Sequence, residues 1–244
     1  MQQTFMTIVR GSRAWSYARL MRNRLRRGVI VNDAKFIDRY MNQEGVKKLQ
    51  LGCGFNILEG WLNSDYEPKS RGLIRIDATQ SYRFADDTFD YIFSEHLIEH
   101  LSFEQGQFML KECFRILKDG GKIRISTPDL AFLIALYRTD KSELQKEYIK
   151  WSTQEFISGA PLCEDTIVIN NYVRDWGHKF IYDEKILRFS LQEAGFKDIR
   201  KFALSESEDS AFRDLENEQR MPEGFLRLES MTLEGTKRLS NTSN

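Results

Sequence analysis

The stretch KKLQLGCG, residues 47–54, decides the fold because a short apolar strand pattern runs directly into two glycines. Gly52 and Gly54 have no side chains, so the backbone can turn sharply there and approach a ligand closely. In open α/β sheets, ligands bind beyond the carboxyl ends of the strands, which is where this turn falls. We therefore expect a buried first strand that ends at a ligand site.

More strand patterns follow, and they alternate with helical sequence. The strands are predicted in WLNSD (61–65), LIRIDA (73–78), FDYIFS (89–94), GKIRIST (121–127), DIRKFALS (198–205) and FLRLESMTLEG (225–235), and the helices in SFEQGQFMLKECFRILKDGG (102–121) and DEKILRFSLQEAGF (183–196). This alternation predicts an α/β fold with a doubly wound, mostly parallel, seven-stranded sheet and an antiparallel hairpin at one edge.

Composition narrows the class of protein. The 244 residues include 36 basic and 36 acidic side chains, so the whole-molecule charge gives no argument for nucleic acid or membrane binding. Cys53, Cys113 and Cys163 are too widely spaced to suggest a disulfide framework or a cysteine zinc site, which favours a reducing cytoplasm. The longest apolar run, LAFLIALY at 130–137, is too short to span a bilayer. We expect a soluble, cytoplasmic protein.

The N-terminus is unusual, because residues 1–30 contain seven arginines and no acidic residue. The segment predicts a helix with Trp15, Ala18, Met21 and Leu25 near one face. Three interpretations stay open: a helix packed on the domain or on another subunit, a peripheral contact with a membrane surface or an anionic substrate, and a mitochondrial transit peptide.

Acidic and polar residues stand at the ends of the other strands. Asp65 ends the second strand and Asp77 the third, and each carboxylate could accept hydrogen bonds from a nucleoside. The pattern G-x-G-x-x-G of dinucleotide dehydrogenases is absent, because position 57 is Ile57 and Asp65 follows Gly54 by eleven residues rather than about twenty. A different nucleoside cofactor is indicated.

In combination, these motifs resemble the class I S-adenosylmethionine-dependent methyltransferases. The matching pieces are LQLGCG (49–54), GWLNSDYEP (60–68), IRIDAT (74–79), RFADDTFDYIFSEHLIEHL (83–101) and ECFRILKDGGKIRISTPD (112–129). The chain looks particularly similar to bacterial methyltransferases often encountered with surface-glycan genes. One departure is that only six residues separate Gly54 from Trp61, too few for the usual first crossover helix.

The resemblance implies a Rossmann-like domain over residues 46–244, preceded by a basic helical extension over residues 1–45 and interrupted by a substrate-side insertion at about 129–183. It implies S-adenosyl-L-methionine as the cofactor. The cofactor-binding residues would be Leu51, Gly52, Cys53 and Gly54 beside the methionine part, Asp65 at the ribose hydroxyls, Asp77 and Ala78 at the adenine, and Ser94 and Glu95 after the fourth strand.

The segment HLIEH, residues 96–100, has the H-x-x-E-H spelling of a class of zinc peptidase. Our first interpretation is metal-free, with Glu99 and His100 hydrogen-bonded within the turns after the fourth strand. The alternative is a divalent ion held by His96, Glu99, His100 and His178, because some O-methyltransferases have a similar E-x-x-E-H segment together with a later histidine.

The acceptor is expected to lie against the insertion, where INNYVRDWGHKF, residues 169–180, offers stacking faces and hydrogen-bonding groups. An alternative is that Trp151, Phe156 and Trp176 only form a satellite core. We predict methyl transfer to a small polar or saccharide-type acceptor, at oxygen, with His178 or His96 removing the proton. Rival functions are a metal-dependent RNA 2′-O-methyltransferase, a zinc hydrolase that uses HLIEH, and a non-catalytic binding module; nucleic acid is not the expected partner.

Overall fold

The computed structural model describes residues 33–239. Most of the basic extension, with the three interpretations of its arginines, falls on residues 1–32 and lies outside the described residues. The described chain begins in helix α1, residues 33–41. The division into an extension and a domain with an insertion stays a prediction.

Within residues 33–239, seven strands form one sheet. They are β1 (Lys48–Leu51), β2 (Leu62–Asp65), β3 (Ile74–Arg75), β4 (Phe89–Glu95), β5 (Leu117–Pro128), β6 (Phe196–Phe202) and β7 (Ser230–Lys237). Their order is β3-β2-β1-β4-β5-β7-β6, with parallel pairing from β3 to β5. Strand β7 runs antiparallel to both β5 and β6. The predicted fold class, including the antiparallel pair at one edge, is confirmed.

The helices are α2 (Phe103–Ile116), α3 (Leu130–Leu136), α4 (Glu143–Phe156), α5 (Asp165–Arg174), α6 (Glu184–Glu193) and α7 (Phe225–Glu229), and short 3₁₀ turns occur at Ile98–His100, Ser210–Phe212 and Glu218–Arg220. Helix α2 starts where Ser102 and Gln105 form a capping box, in which each side chain accepts from the other residue's backbone N–H. Across the part of the chain that is described, no helix is both long and apolar enough to cross a membrane.

One strand prediction is partly wrong. Residues 225–229 were expected to begin the last strand, but they form α7, and β7 starts only at Ser230. Gly224 adopts φ +80 before the helix, and the helical turn buries Phe225 and Leu226 together, which the alternating faces of a strand would not do.

The main core fills one face of the sheet. Its buried side chains include Leu49, Leu51, Ile92, Ile123 and Ile125 from the strands, Met109, Leu110 and Cys113 from α2, and Leu187 and Leu191 from α6. Each of these strands alternates side chains between the two faces, so every second residue reaches this core. Helices α2 and α6 are therefore the layer that fixes β1, β4 and β5 in place.

On the opposite face, the long connection between β6 and β7 packs against Tyr91 and Phe93 of β4. Residues 52–61 contain no helix, as the short spacing predicted. Instead Phe212 and Leu215 from the connection cluster with Trp61 and Phe93. The ring of Phe212 also meets Tyr91 edge-on, at 5.3 Å between centroids. These side chains bury the surface that a first crossover helix would otherwise cover.

The insertion after β5 has a satellite core of its own. Phe132 of α3, Tyr148 of α4 and Tyr172 of α5 pack with Phe225 of α7. The satellite-core interpretation named Trp151, Phe156 and Trp176. Their rings pack in a row with 5.1 Å between successive centroids, and Trp151 also packs against this cluster, while Trp176 keeps 39% of its surface exposed. The insertion is thus a small packed unit with three exposed aromatic residues, Tyr137, Phe156 and Trp176.

Arg124 joins β5, β7 and the β6–β7 connection. Its guanidinium is fully buried, donates to Glu216 at 2.8 Å and also binds Glu234. A further N–H donates to the carbonyl oxygen of Glu206 at 2.9 Å. Two carboxylates that face one buried guanidinium would be left uncompensated if the guanidinium were removed.

We expect Arg124→Met to lower the free energy of unfolding by about 3–5 kcal/mol, because it leaves two buried carboxylates unpaired. The control is Arg238→Ala, which breaks an exposed pair with Asp198 and should cost less than about 1 kcal/mol. Urea unfolding measures both. Equal losses in the two variants would show that the buried network does not anchor the connection.

Candidate active site

The glycine turn after β1 is held open by a carboxylate. Gly52 and Gly54 adopt φ +68 and φ +52, a region that residues with side chains rarely occupy. Asp65, at the end of β2, accepts from the N–H of Gly54 at 3.0 Å and from the N–H of Glu67 at 2.8 Å. Asp65 therefore supports the turn itself, and its contact with ribose stays a prediction.

A cavity of about 420 Å³ lies at the carboxyl ends of β1, β2 and β3. It is lined by Leu51, Gly52, Ser64, Tyr66, Ile76, Asp77, Ala78, Thr79, Leu97, His100, Leu101, Gln105 and Lys179. Four of the predicted cofactor residues, Leu51, Gly52, Asp77 and Ala78, are among them. A nucleoside-sized cavity at this edge is what the position of the strand ends predicts.

Sequence reasoning missed several residues of this wall. Tyr66 is half exposed and stacks under Arg75, with 5.0 Å between the guanidinium carbon and the ring centroid. Its position directly after Asp65 is the signal that could have found it. Lys179 and Gln105 come from distant segments and leave no local signal.

Asp77 faces the cavity with one carboxylate oxygen committed. That oxygen accepts from the backbone N–H of Thr79 at 3.0 Å and from its hydroxyl at 2.7 Å. The second oxygen has no hydrogen-bond partner among residues 33–239. The geometry leaves an acceptor for a donor group of the cofactor.

The remaining predicted cofactor residues lie beside the turn but do not line this cavity. Cys53 donates its backbone N–H to Ser64 at 2.9 Å, and burial, together with the charge of Asp65, raises the pKa of its thiol to about 11. Glu95 accepts from Asn56 at 3.2 Å and lies 3.8 Å from Arg220. Ser94 is buried. Their cofactor contacts stay predictions.

His96 is turned away from the cofactor cavity. Its backbone has φ +47, which is uncommon for a residue with a side chain. Its Nε2 lies 2.8 Å from the hydroxyl of Ser230, and its Nδ1 lies 3.3 Å from Oε1 of Glu99. The ring of His96 thus lies between Ser230 and Glu99 and supports the Glu99 side chain.

Glu99 is fully buried at the centre of the site. Its Oε2 accepts from the hydroxyl of Thr127 at 3.1 Å. Its Oε1 lies 3.3 Å from Nδ1 of His96 and 3.9 Å from Nε2 of His100, but neither contact has hydrogen-bond geometry. Burial acts to raise the pKa of this carboxyl, but the adjacent imidazole of His96 and, more weakly, that of His100 lower it below its ordinary value.

Backbone hydrogen bonds hold the segment that contains His178 beside Glu99. The carbonyl oxygen of Glu99 accepts from the N–H groups of Lys179 at 2.8 Å and Phe180 at 3.2 Å. Nδ1 of His178 lies 2.7 Å from the carbonyl oxygen of Tyr172, which can only accept, so Nδ1 has the proton and Nε2 keeps its lone pair. Burial lowers the pKa of His178.

Glu99, His100 and His178 therefore meet at one point. Their nearest nitrogen and oxygen atoms all lie within 4.8 Å of one another, and the two rings are 5.0 Å apart between centroids. Because His100 also lines the cavity, the group borders the cofactor site. The H-x-x-E-H interpretation is corrected: Ile98–His100 is a single 3₁₀ turn, so His96 and His100 are not presented on one long helix face as in a zinc peptidase.

Comparison with known proteins agrees with this geometry. Residues 53–125 match a family model described as a methyltransferase domain. No curated protein matches the chain significantly. Solved structures with a similar fold include a methyltransferase from Archaeoglobus fulgidus, with 20% identity over 96% of this chain and 98% of that one and a TM-score of 0.49.

Two further structures are similar at lower scores. One from Mesorhizobium loti has 16% identity over 81% of this chain and 94% of that one, with a TM-score of 0.46. A phosphoethanolamine N-methyltransferase from Haemonchus contortus, bound to S-adenosyl-L-methionine, has 16% identity over 85% of this chain and 52% of that one, with a TM-score of 0.43.

The family match runs from the glycine turn through β5, and the order of the seven strands with β7 reversed completes the fold. Over residues 53–125, the chain matches the methyltransferase-domain family. S-adenosyl-L-methionine is the cofactor that this match predicts, and Gly52 of the glycine turn with Asp77 and Ala78 offers a surface to hold it.

Gly54→Val should reduce affinity for S-adenosylhomocysteine by more than about tenfold, which is about 1.4 kcal/mol. A Cβ at Gly54 would meet no protein atom within 4 Å, so the branched side chain would enter space that the cofactor needs rather than the protein core. Gly52→Val is a less specific test of cofactor binding, because its Cβ would lie 3.1 Å from Leu97 and would disturb the protein as well.

The control is Gly120→Val, which has a comparable φ of +78 and equally open surroundings but lies near the amino end of β5. It shares the backbone strain and should leave affinity unchanged. Calorimetric titration with S-adenosylhomocysteine decides the matter, and equal affinities in the two variants would move the cofactor away from this turn.

Proposed function

We propose that the enzyme transfers the methyl group to an oxygen atom of a small polar or saccharide-type acceptor. The observation that carries this proposal is the group of Glu99, His100 and His178 at the border of the cofactor cavity. A hydroxyl is a weak nucleophile until its proton is removed or its charge is stabilised, and this group offers nitrogen and oxygen atoms for that task.

The reaction needs alignment and one proton transfer. The acceptor oxygen bonds to the methyl carbon as the carbon–sulfur bond breaks, and the electron pair of that bond stays on sulfur to give S-adenosylhomocysteine. The hydroxyl proton leaves to the histidine group or to solvent. Holding the two reactants in line supplies much of the rate enhancement, so the fixed backbone of the glycine turn and of residues 178–180 matters.

The nature of the acceptor is argued from the insertion. Trp176 is 39% exposed, and its ring centroid lies 5.6 Å from that of His178. In the same segment, Nδ2 of Asn171 is buried without a hydrogen-bond partner in the described residues, while Arg174 and Asp175 are exposed. An aromatic face with adjacent donors and acceptors suits the apolar and hydroxyl faces of a sugar ring.

Labelled methyl transfer tests the class of acceptor. The protein would be incubated with methyl-labelled S-adenosylmethionine and two matched panels, monosaccharides or nucleotide sugars in one and small amines in the other. We expect label in O-methyl ethers of the saccharide panel, identified by mass spectrometry and NMR. Label found only in N-methyl products would contradict the choice of oxygen.

The acceptor-side residue is tested by His178→Ala. Turnover should fall by roughly 10²–10⁴-fold, because proton removal from the hydroxyl loses its assistance, while affinity for S-adenosylhomocysteine changes less than about twofold. The control is Lys150→Ala, an exposed change on α4 of the same insertion, which should alter neither quantity. Wild-type turnover in His178→Ala would remove this residue from the reaction.

A further inference from the structure

We propose that Glu99, His100 and His178 form a binding site for one divalent transition-metal ion. The site goes beyond the proposed function, because metal binding can be measured without cofactor or acceptor. It also differs from the set that the sequence suggested, since His96 is not one of the ligands.

Within the described chain, the carboxylate of Glu99 lacks a partner for one of its oxygen atoms. Glu99 is fully buried, and its Oε1 has no hydrogen-bond partner in the described structure. An ionised carboxylate is rarely left in that state, because a buried charge without full pairing is costly. Imidazole nitrogens of His96 and His100 lie 3.3 and 3.9 Å from this oxygen. A cation between Oε1 and His100 would complete the coordination of this oxygen.

The ring of His178 is already oriented for metal binding. The hydrogen bond from Nδ1 of His178 to Tyr172 leaves Nε2 as the lone-pair nitrogen, which is the form that binds metal. Such a bond from the second nitrogen to a carbonyl is the usual way in which a metal-bound histidine is oriented. His178 follows Trp176 and Gly177, whose φ values of +53 and +79 fold the chain back toward Glu99.

The spacing of the three ligand atoms also suits a single ion. A tetrahedral ion about 2.0–2.1 Å from each ligand atom requires ligand atoms about 3.4 Å apart. The three atoms already lie within 4.8 Å of one another, so the site closes by small side-chain rotations. His100 is 36% exposed and has room to rotate, whereas Glu99 is held by Thr127 and His96. His96 and Thr127 are thus outer supports of a ligand.

The donor set selects the class of ion. Two imidazoles with one carboxylate suit Zn²⁺, Co²⁺, Mn²⁺ or Fe²⁺, whereas Mg²⁺ and Ca²⁺ prefer oxygen atoms throughout. Three protein ligands leave at least one coordination position open, as in catalytic rather than structural zinc sites. Because His100 lines the cofactor cavity, the open position is next to the place of methyl transfer.

Cobalt titration tests the site directly. Protein freed of metal by a chelator is titrated with Co²⁺ and followed by its visible absorption, and with Zn²⁺ by calorimetry. Cys163→Ala serves as the background, because this exposed thiol could bind either ion adventitiously. We expect one ion per chain, with affinity reduced by more than about 100-fold in His100→Ala and in His178→Ala, and by about 10–100-fold in His96→Asn, which loses only an outer support.

The matched control is Glu104→Gln, which removes an exposed carboxylate at the start of α2 and should leave metal affinity unchanged. Retained affinity of His178→Ala for S-adenosylhomocysteine confirms that the variant is folded. The proposal is overturned if no stoichiometric ion binds, or if the ion binds equally well without His100 and His178. Methyl transfer by protein that binds no ion would leave the proposed function standing and remove only the metal site.

Discussion

The active side of the molecule depends on the burial of one carboxylate, that of Glu99. Its side chain meets His96, His100 and Thr127, while its backbone carbonyl fixes the segment that follows His178. Those contacts join the end of β4, the end of β5 and the insertion. A carboxylate shielded from water interacts strongly with each neighbour, so the three segments are held in one arrangement. The position of His178 beside the cofactor cavity is a consequence of that arrangement.

Packing from elsewhere in the chain also replaces the first crossover helix that the sheet lacks. Residues 52–61 contain no helix, and Phe212 and Leu215 of the β6–β7 connection pack against Trp61 and Phe93 instead. Arg124 locks the connection that holds these two residues. The connection contacts the segment just after the glycine turn, where Asn56 donates to the carbonyl oxygen of Leu215 at 2.8 Å, and Asp65 accepts from the N–H of Gly54. The short connection that forms the ligand site therefore has a fixed backbone.

Much of the fold was predictable from sequence, because glycine turns and alternating apolar residues act locally. The turn at Gly52 and Gly54, the order of the strands, helices α2 and α6, and Asp77 at the cavity follow from such patterns. Helices α3, α4 and α5 of the insertion were not predicted. The long-range parts did not follow from local patterns: α7 replaced the start of a predicted strand to bury Phe225, and Tyr66 and Lys179 entered the cavity wall through packing. The three histidines were expected to share one site, but only the structure separates His96, which braces Glu99, from His100 and His178, which face each other.

The central claim is that the cofactor cavity and the histidine group form one active site. A crystal structure with bound S-adenosylhomocysteine tests it most directly. We expect the adenine beside Asp77 and Ala78, the sulfur over the turn at Gly52 and Gly54, and the ring of His178 within reach of the acceptor space beyond that sulfur. Direct proton transfer or metal-assisted attack needs hydrogen-bond reach or one bridging water, so a closed site in which the His178 ring lies more than about 10 Å from the sulfur would contradict the claim.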